Sequence, residues 1–440
     1  MTTLSLFSDI PEASSDNLVY ETFIKDTNEK KVFLGQRVLV SENGYPWVPY
    51  PVKKVCRQLL DDPLLSYELE QGLEPSSLIS RTCELTVGKN SIALLENRIG
   101  GVQTLGSIGA LKVGADFLYQ WYNRHDPKKA LCLMSSTCDK YCQIFRESGF
   151  TDVNSYRFWN SKSKRLSISD MLEDLKKSPD FSIIFLQMAC CPAGMQITTK
   201  EWTEIATVMK EKKMFPFFHL QAQGLASGDV DTDAWPLRYF VQEGFELFCA
   251  QSFTTNFGLY GERVGCLLAV LKSNEELICV RSQLERLVQV KSLESPAFGS
   301  RIVATVLNNA SYSKEWKDSL KSAVQRLMLI RAKTNERLKV LGSWESWEHI
   351  TEQTGLFSYT GLTPARVDFL AKKTHVYLNA DGSINITCLN PRNLEYVMQC
   401  IIQAVQQIPE EEVKELKSDY KFHNNEAGNI NIKESKKQKF

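Results

Sequence analysis

The middle of the chain alternates short, wholly apolar runs with longer segments whose apolar residues recur at three- and four-residue steps. The runs are LCLMSS (131–136), SIIFLQM (182–188), FPFFHL (215–220), ELFCAQSF (246–253) and GCLLAVL (265–271). Apolar on successive rather than alternate residues, they predict strands buried on both faces of a largely parallel sheet. Between two of them, Trp202, Ile205, Ala206 and Met209 mark one face of a helix over about 201–213. Thr198 and Glu201 have capping-box spacing at its start. Strand, helix, strand is the order of a βαβ unit, and its recurrence predicts an α/β fold.

Further on, Trp316, Leu320, Ala323, Leu327 and Ile330 predict a long helix from near Ser313 towards Val340, leaving the sheet for a second unit. In that unit HVYLN (375–379) and SINITCL (383–389) read as paired strands joined by Ala380-Asp381-Gly382. Asn390-Pro391 then reads as N-cap and first position of a last helix, with Leu394, Val397, Met398, Ile401, Val405 and Ile408 on its apolar face. Beyond Pro409 the sequence is polar and rich in Lys and Glu, which predicts a frayed, disordered tail over about 411–440.

Composition narrows the function classes. Hydrophobic residues make up 43% of the 440, enough for a large core, and Lys plus Arg equals Asp plus Glu at 52 each. A neutral balance provides no electrostatic footprint for nucleic acid or an anionic membrane. No apolar run approaches the roughly 20 residues that span a bilayer, and the N-terminus lacks a basic start and an apolar core. The 12 cysteines, several inside apolar runs (Cys132, Cys249), then read as free thiols of a cytoplasmic protein.

Three stretches carry a resemblance: ENRIGGVQTLGSIGALKVGADFL (96–118), the long segment from Phe215 to Leu267 centred on AQSFTTNFGLYGERVG, and GSRIVATVLNN (299–309), supported by HITEQTGLFSYTGL (349–362). Over roughly residues 1–410 the chain resembles the cytosolic aspartate aminotransferases, a subgroup of the fold-type I pyridoxal-phosphate enzymes. The resemblance implies a three-layer αβα large domain with a mostly parallel sheet over 48–324 and a smaller α+β domain from 15–47 and 325–410. It also implies an N-terminal arm over 1–14 and a homodimer. The implied reaction is transfer of the amino group of L-aspartate to 2-oxoglutarate, with pyridoxal 5'-phosphate as cofactor.

That chemistry needs a lysine for the Schiff base, a carboxylate on the pyridine nitrogen, donors for the phosphate and arginines for the substrate. The family's Ser-x-x-Lys-Asn-Phe-Gly reads Ser252-Phe253-Thr254-Thr255-Asn256-Phe257-Gly258, so Thr255 stands at the lysine position and covalent attachment is not expected. By the same resemblance His219 takes the place of the carboxylate and Ala222 that of the tyrosine on the cofactor phenolate. Cys191 replaces the asparagine of an Asn-Pro-Thr-Gly turn, and Cys138 the stacking tryptophan. Gln289 replaces the arginine lent by the other subunit, and Ser383 the one for the α-carboxylate. The Gly-x-Gly-x-Tyr-Arg loop reads Gly35 to Val40 as Gly-Gln-Arg-Val-Leu-Val.

The phosphate ligands fare better. Gly106-Ser107-Ile108-Gly109 precedes a helix through Ala110–Tyr122, Ser252 and Arg263 match, and Tyr67 matches the tyrosine that reaches across the dimer; Ile108 replaces a threonine. A structural alternative is an Arg263–Glu262 ion pair capping a strand. His219 with Cys138, Cys190 and Cys191 matches no standard zinc spacing and reads as pocket filling, so no metal is expected. Two function classes follow: a non-catalytic dimeric homologue, or a weakly active aspartate aminotransferase. Pairing with an active aminotransferase subunit is a further possibility, in which this chain lends Tyr67 but Gln289 instead of arginine.

Overall fold

The computed structural model describes residues 18–63, 65, 77–122, 132–135, 139–188, 194–292 and 296–408. Tyr67, Cys138, Cys190, Cys191, the expected arm and the expected tail lie outside the described residues.

All five apolar runs become strands of one seven-stranded sheet. In spatial order its strands are Ile99–Leu105, Val264–Val270, Leu247–Ser252, Phe215–Leu220, Ile183–Gln187, Cys132–Ser135 and Val153–Tyr156. Val264–Val270 runs antiparallel to both neighbours, and the other pairings are parallel. Every residue of Leu247–Ser252 and Val264–Val270 is buried, as expected of strands covered on both faces. Two cores lie on the two faces. Phe218, Leu220, Cys249 and Cys266 join one, and Phe185, Phe217, Phe248 and Ala250 join the other beneath helix Gly106–Trp121. This is the three-layer arrangement of a fold-type I α/β protein.

The helix after strand Ile183–Gln187 is Thr199–Glu211, and its capping box forms: the Glu201 amide donates to Thr198 Oγ1 and the Thr198 amide to Glu201 Oε2 at 2.8 Å. The long helix, Ala310–Val340, starts slightly earlier than the apolar periodicity indicates, because Asn309 Oδ1 accepts from the amides of Ser311 and Tyr312. It joins one sheet core, through Trp316 and Leu320, to a third core made of Leu34 and Val40 with residues from Leu327 to Val405.

Three local expectations need correction. The 375–389 segment is not a hairpin. Val376–Tyr377 pairs in parallel with Val32–Phe33, and Ser383–Asn385 pairs antiparallel with Phe357–Tyr359. The Asp381 turn forms, but Asp381 Oδ1 takes the Ser383 amide at 2.9 Å, so the ladder stops at once, and Ile386–Cys388 tightens into a 3₁₀ turn. The phosphate-loop helix begins at Gly106, with Ser107 in its first turn rather than before it. The last helix is Leu394–Gln407, with Asn393 at its N-cap position but no side-chain capping bond; Asn390 and Pro391 form a preceding turn in which Asn390 Oδ1 accepts the Arg392 amide.

The first described helix, Leu18–Lys25, is anchored to the third core by Asp26. Asp26 Oδ2 accepts from Tyr377 Oη and bonds His375 Nδ1, both at 2.7 Å, while Oδ1 accepts the Asn28 amide at 2.8 Å. The Asn28 amide and then the Tyr377 hydroxyl hold its carboxyl down to about 2. A depressed acid contributes stability above its unfolded value of 3.8 and loses it as pH falls towards about 2. Asp26→Asn is therefore expected to lower the thermal midpoint at neutral pH, with the gap to wild type closing across that acid window, measured by circular dichroism.

Candidate functional site

Open α/β sheets receive ligands at the carboxyl ends of their strands, and here four elements meet at that end. Strand Ile99–Leu105 turns at Gly106, with φ of 67°, directly into helix Gly106–Trp121. The helix's first amides lack intrahelical acceptors and its dipole is positive there. Ser107 is buried in that first turn. Arg263 immediately precedes strand Val264–Val270 and holds a left-handed φ of 53°, a strained conformation for a side-chain-bearing residue. Its guanidinium lies over the turn: a Cβ on Gly106 would be 3.5 Å from Arg263 Nη2. Among the described residues Arg263 has no carboxylate partner, so the expected alternative of a Glu262 ion pair is not formed.

Gly265 makes this approach possible. A Cβ there would stand 2.4 Å from the Gly106 carbonyl carbon and 2.8 Å from the Gln251 carbonyl oxygen. Opposite Gly265 in register is Ser252, whose Oγ donates to Thr254 Oγ1 at 3.0 Å and accepts the Thr254 amide at 3.2 Å. Free helix amides, two buried serines and an uncommitted guanidinium thus surround one position suited to a phosphate group.

Thr255 sits half-buried on the next turn, and that turn is tightly held. Phe253 and Phe257 are buried on either side, with Phe257 against Trp316. Asn256 Nδ2 donates to the Gln223 carbonyl at 3.1 Å, and Trp316 Nε1 donates to the Asn256 carbonyl at 2.8 Å. Beneath it, Gln251 Nε2 donates to Gln223 Oε1 at 2.8 Å and Thr86 Oγ1 to Gln251 Oε1 at 2.5 Å, while Gln223 Nε2 reaches the Val230 carbonyl. The turn that displays residue 255 is fully built, yet the residue it displays has no amine. The next lysine along the chain, Lys272, lies past the far end of strand Val264–Val270 and donates to the Gly244 carbonyl.

His219 lies near the end of strand Phe215–Leu220, opposite Gln187 and Ala250. One strand spacing and two residues separate it from Ser252, roughly 8 Å between Cα atoms. The imidazole is buried, edge-on to Tyr141 at 5.1 Å and tilted on Phe185 at 5.6 Å. Gln221 Nε2 links Tyr141 Oη at 2.7 Å to His219 Nδ1 at 3.5 Å. Ala222 follows, half-buried in the turn.

The remaining expected positions lie apart from the cup. Ser383 is buried on its short strand; its Oγ donates to Asp381 Oδ1 at 2.6 Å and accepts from Asn379 Nδ2 at 3.0 Å. Asn385 beside it pins the 36–38 loop through the Gln36 and Val38 carbonyls. Gln289 is exposed in the last turn of helix Asn274–Ser292, whose Lys291 pairs with Asp116 of the cup helix at 2.5 Å. Sequence reasoning missed Gly265, Thr254 and the Gln251–Gln223 network. Only Gly265 carried a signal, an isolated glycine inside an apolar strand.

This geometry coincides with what the comparisons find. The family model for aminotransferase class I and II matches residues 75–401. The cytoplasmic aspartate aminotransferase of Gallus gallus is 41% identical over 92% of this chain and 99% of its own length. The aspartate aminotransferase cytoplasmic 2 protein of Bos taurus is 39% identical over 92% and 98%. Among solved structures, the cytoplasmic aspartate aminotransferase of Saccharomyces cerevisiae superposes with a TM-score of 0.86 at 31% identity, over 91% of this chain and 99% of that one. The aromatic-amino-acid aminotransferase of Burkholderia pseudomallei, covalently bound to pyridoxal phosphate, gives 0.84 at 30%, over 91% and 100%. The chain belongs to the class I and II aminotransferase family.

The family implies pyridoxal phosphate, and the residues here fit one end of it. The glycine cradle at 106 and 265 with Ser107, Ser252 and Arg263 suits the phosphate. On the turn that follows Ser252 the chain carries Thr255, and a threonine hydroxyl forms no imine. Gly265→Ala tests the cradle: forcing a methyl against the Gly106 backbone is expected to cost about 1–3 kcal/mol of stability, read by denaturant unfolding, and to weaken phosphate binding.

Proposed function

We propose that this chain is an aspartate aminotransferase-like protein whose cofactor pocket binds phosphate esters, pyridoxal phosphate among them, without covalent attachment, and that it is catalytically inactive or severely impaired. One observation carries the reading: the turn at 253–258 is held by Asn256 Nδ2 on the Gln223 carbonyl and Trp316 Nε1 on the Asn256 carbonyl, while the residue it displays is Thr255. His219, Ala222, Gln289 and Ser383 support it, because cofactor electronics and both substrate forks change with the lysine. Decay without constraint would not be expected to leave the Gly106–Gly265 contact and the Gln251–Gln223 network in place.

The same reading takes residues 15–47 and 325–410 as a small domain on the large one at 48–324, and the molecule as a cytoplasmic homodimer to which Tyr67 is lent across the interface. The cytoplasmic names of the relatives support the location. Among the described residues no helix is long and apolar enough to cross a membrane. In a heterodimer with an active subunit, the partner's site would receive Gln289 and lose its preference for dicarboxylates.

A weakly active aspartate aminotransferase is the second reading, favoured by the 41% identity to the chicken protein across nearly both chains. Absorption spectroscopy with added pyridoxal phosphate separates the two. Wild type is expected to show free aldehyde, no borohydride-trappable adduct and no conversion to pyridoxamine phosphate with aspartate; Thr255→Lys is expected to form the adduct. A trapped adduct or aspartate-driven conversion in wild type would refute the inactive reading. Arg263→Ala is expected to weaken pyridoxal phosphate binding by tenfold or more, about 1.4 kcal/mol, by calorimetry.

A further inference from the structure

Between strand Val153–Tyr156 and helix Ile168–Lys177 the chain makes a small antiparallel ribbon, Trp159–Asn160 with Arg165–Leu166. Its base is fixed to the sheet unit. Phe158 and Leu166 enter the sheet core, and the Arg157 guanidinium holds Glu173 at 2.8 Å and Asp174 at 2.7 Å. Its turn is preorganised: Asn160 Oδ1 accepts the amides of Lys162 and Ser163, and Lys164 takes a left-handed φ of 54°.

The tip reaches segment 347–361, which borders the third core. Arg165 pairs with Glu352. Lys164 Nζ lies 5.6 Å from the Trp347 ring centroid, and its stem fills the space over Gly361, where a Cβ would meet Cε at 2.5 Å. Trp159 stands edge-on to Tyr359 at 5.4 Å. The receiving surface is itself rigid. Trp347 is buried with its indole N–H on Ser343 Oγ at 2.7 Å, and Arg331 Nη2 gathers the carbonyls of Thr354, Gly355 and Phe357. Beside the contact a cleft of about 490 Å³ stays open between the ribbon and residues 344–352.

Three contacts of different kinds, each weak alone, thus grip one rigid segment across an open cleft. We propose that the 159–166 ribbon is a latch: it holds the unit built on the third core against the sheet, and its release lets that unit move. Tyr359 pairs in register with Ser383, so the latch also bears on strand Ser383–Asn385. The proposal is independent of whether the pocket binds any ligand.

Hydrogen exchange of the full chain, read by mass spectrometry without ligand, tests it. In Trp159→Ala/Lys164→Ala, amides of 347–361 are expected to exchange at least tenfold faster, while strands Phe215–Leu220 and Leu247–Ser252 keep their protection. Unchanged exchange in 347–361 overturns the latch. Equal loss in the central strands also overturns it, because the ribbon would then be a general support of the fold. Should the double variant fail to fold, Arg165→Gln, which leaves both rings in place, is expected to raise exchange at 350–361 about threefold; no rise there overturns the proposal.

Discussion

The contact between Gly265 and Gly106 is the constraint from which the site follows. Two backbones touch where no side chain fits, and so the antiparallel strand is pressed against the first turn of the cup helix. That closeness sets Arg263 over the helix N-terminus and Ser252 across from it. The strand's direction contributes as well: running antiparallel, it begins at the end where its neighbours finish, and so brings a residue just before it to the ligand edge. The left-handed Arg263 is the local strain that this geometry carries.

The sheet was legible in the sequence because doubly buried strands leave continuous apolar runs, and all five runs took their places in it. The helix after Thr198 was legible for a different reason: its cap is made by residues three apart. Elements whose partners are distant were not legible. Nothing within 375–389 announces that Val376 pairs with Val32, or Ser383 with Tyr359, and the turn at Asp381 invited a hairpin that its own carboxylate cuts short. Of the candidate site, Ser107, Ser252, Arg263, Thr255 and His219 were named through the resemblance. The glutamine network under Thr255 was not, since a buried glutamine in an apolar strand has no periodic signature and finds its partner only in the folded chain.

The architecture around position 255 and the side chains that face the ligand edge occupy different layers of this molecule. The supporting hydrogen bonds around 255 involve main-chain carbonyls and side chains that point away from the ligand edge. Replacing the half-buried side chains at 222 or 255 leaves them untouched, so stability places little pressure on those two residues, whereas His219 is buried against Tyr141 and Phe185. Fold and reaction can therefore part company without passing through an unfolded intermediate sequence.

Ser383 shows the opposite case, a side chain tied into its surroundings. Its hydroxyl bridges Asp381 and Asn379 in a closed polar knot. A guanidinium introduced at 383 would find the Asp381 carboxylate within reach before any ligand arrived, and the pair would neutralise itself. An arginine at this position would thus be occupied by its neighbours, and a change meant for a ligand has to begin with Asp381 and Asn379.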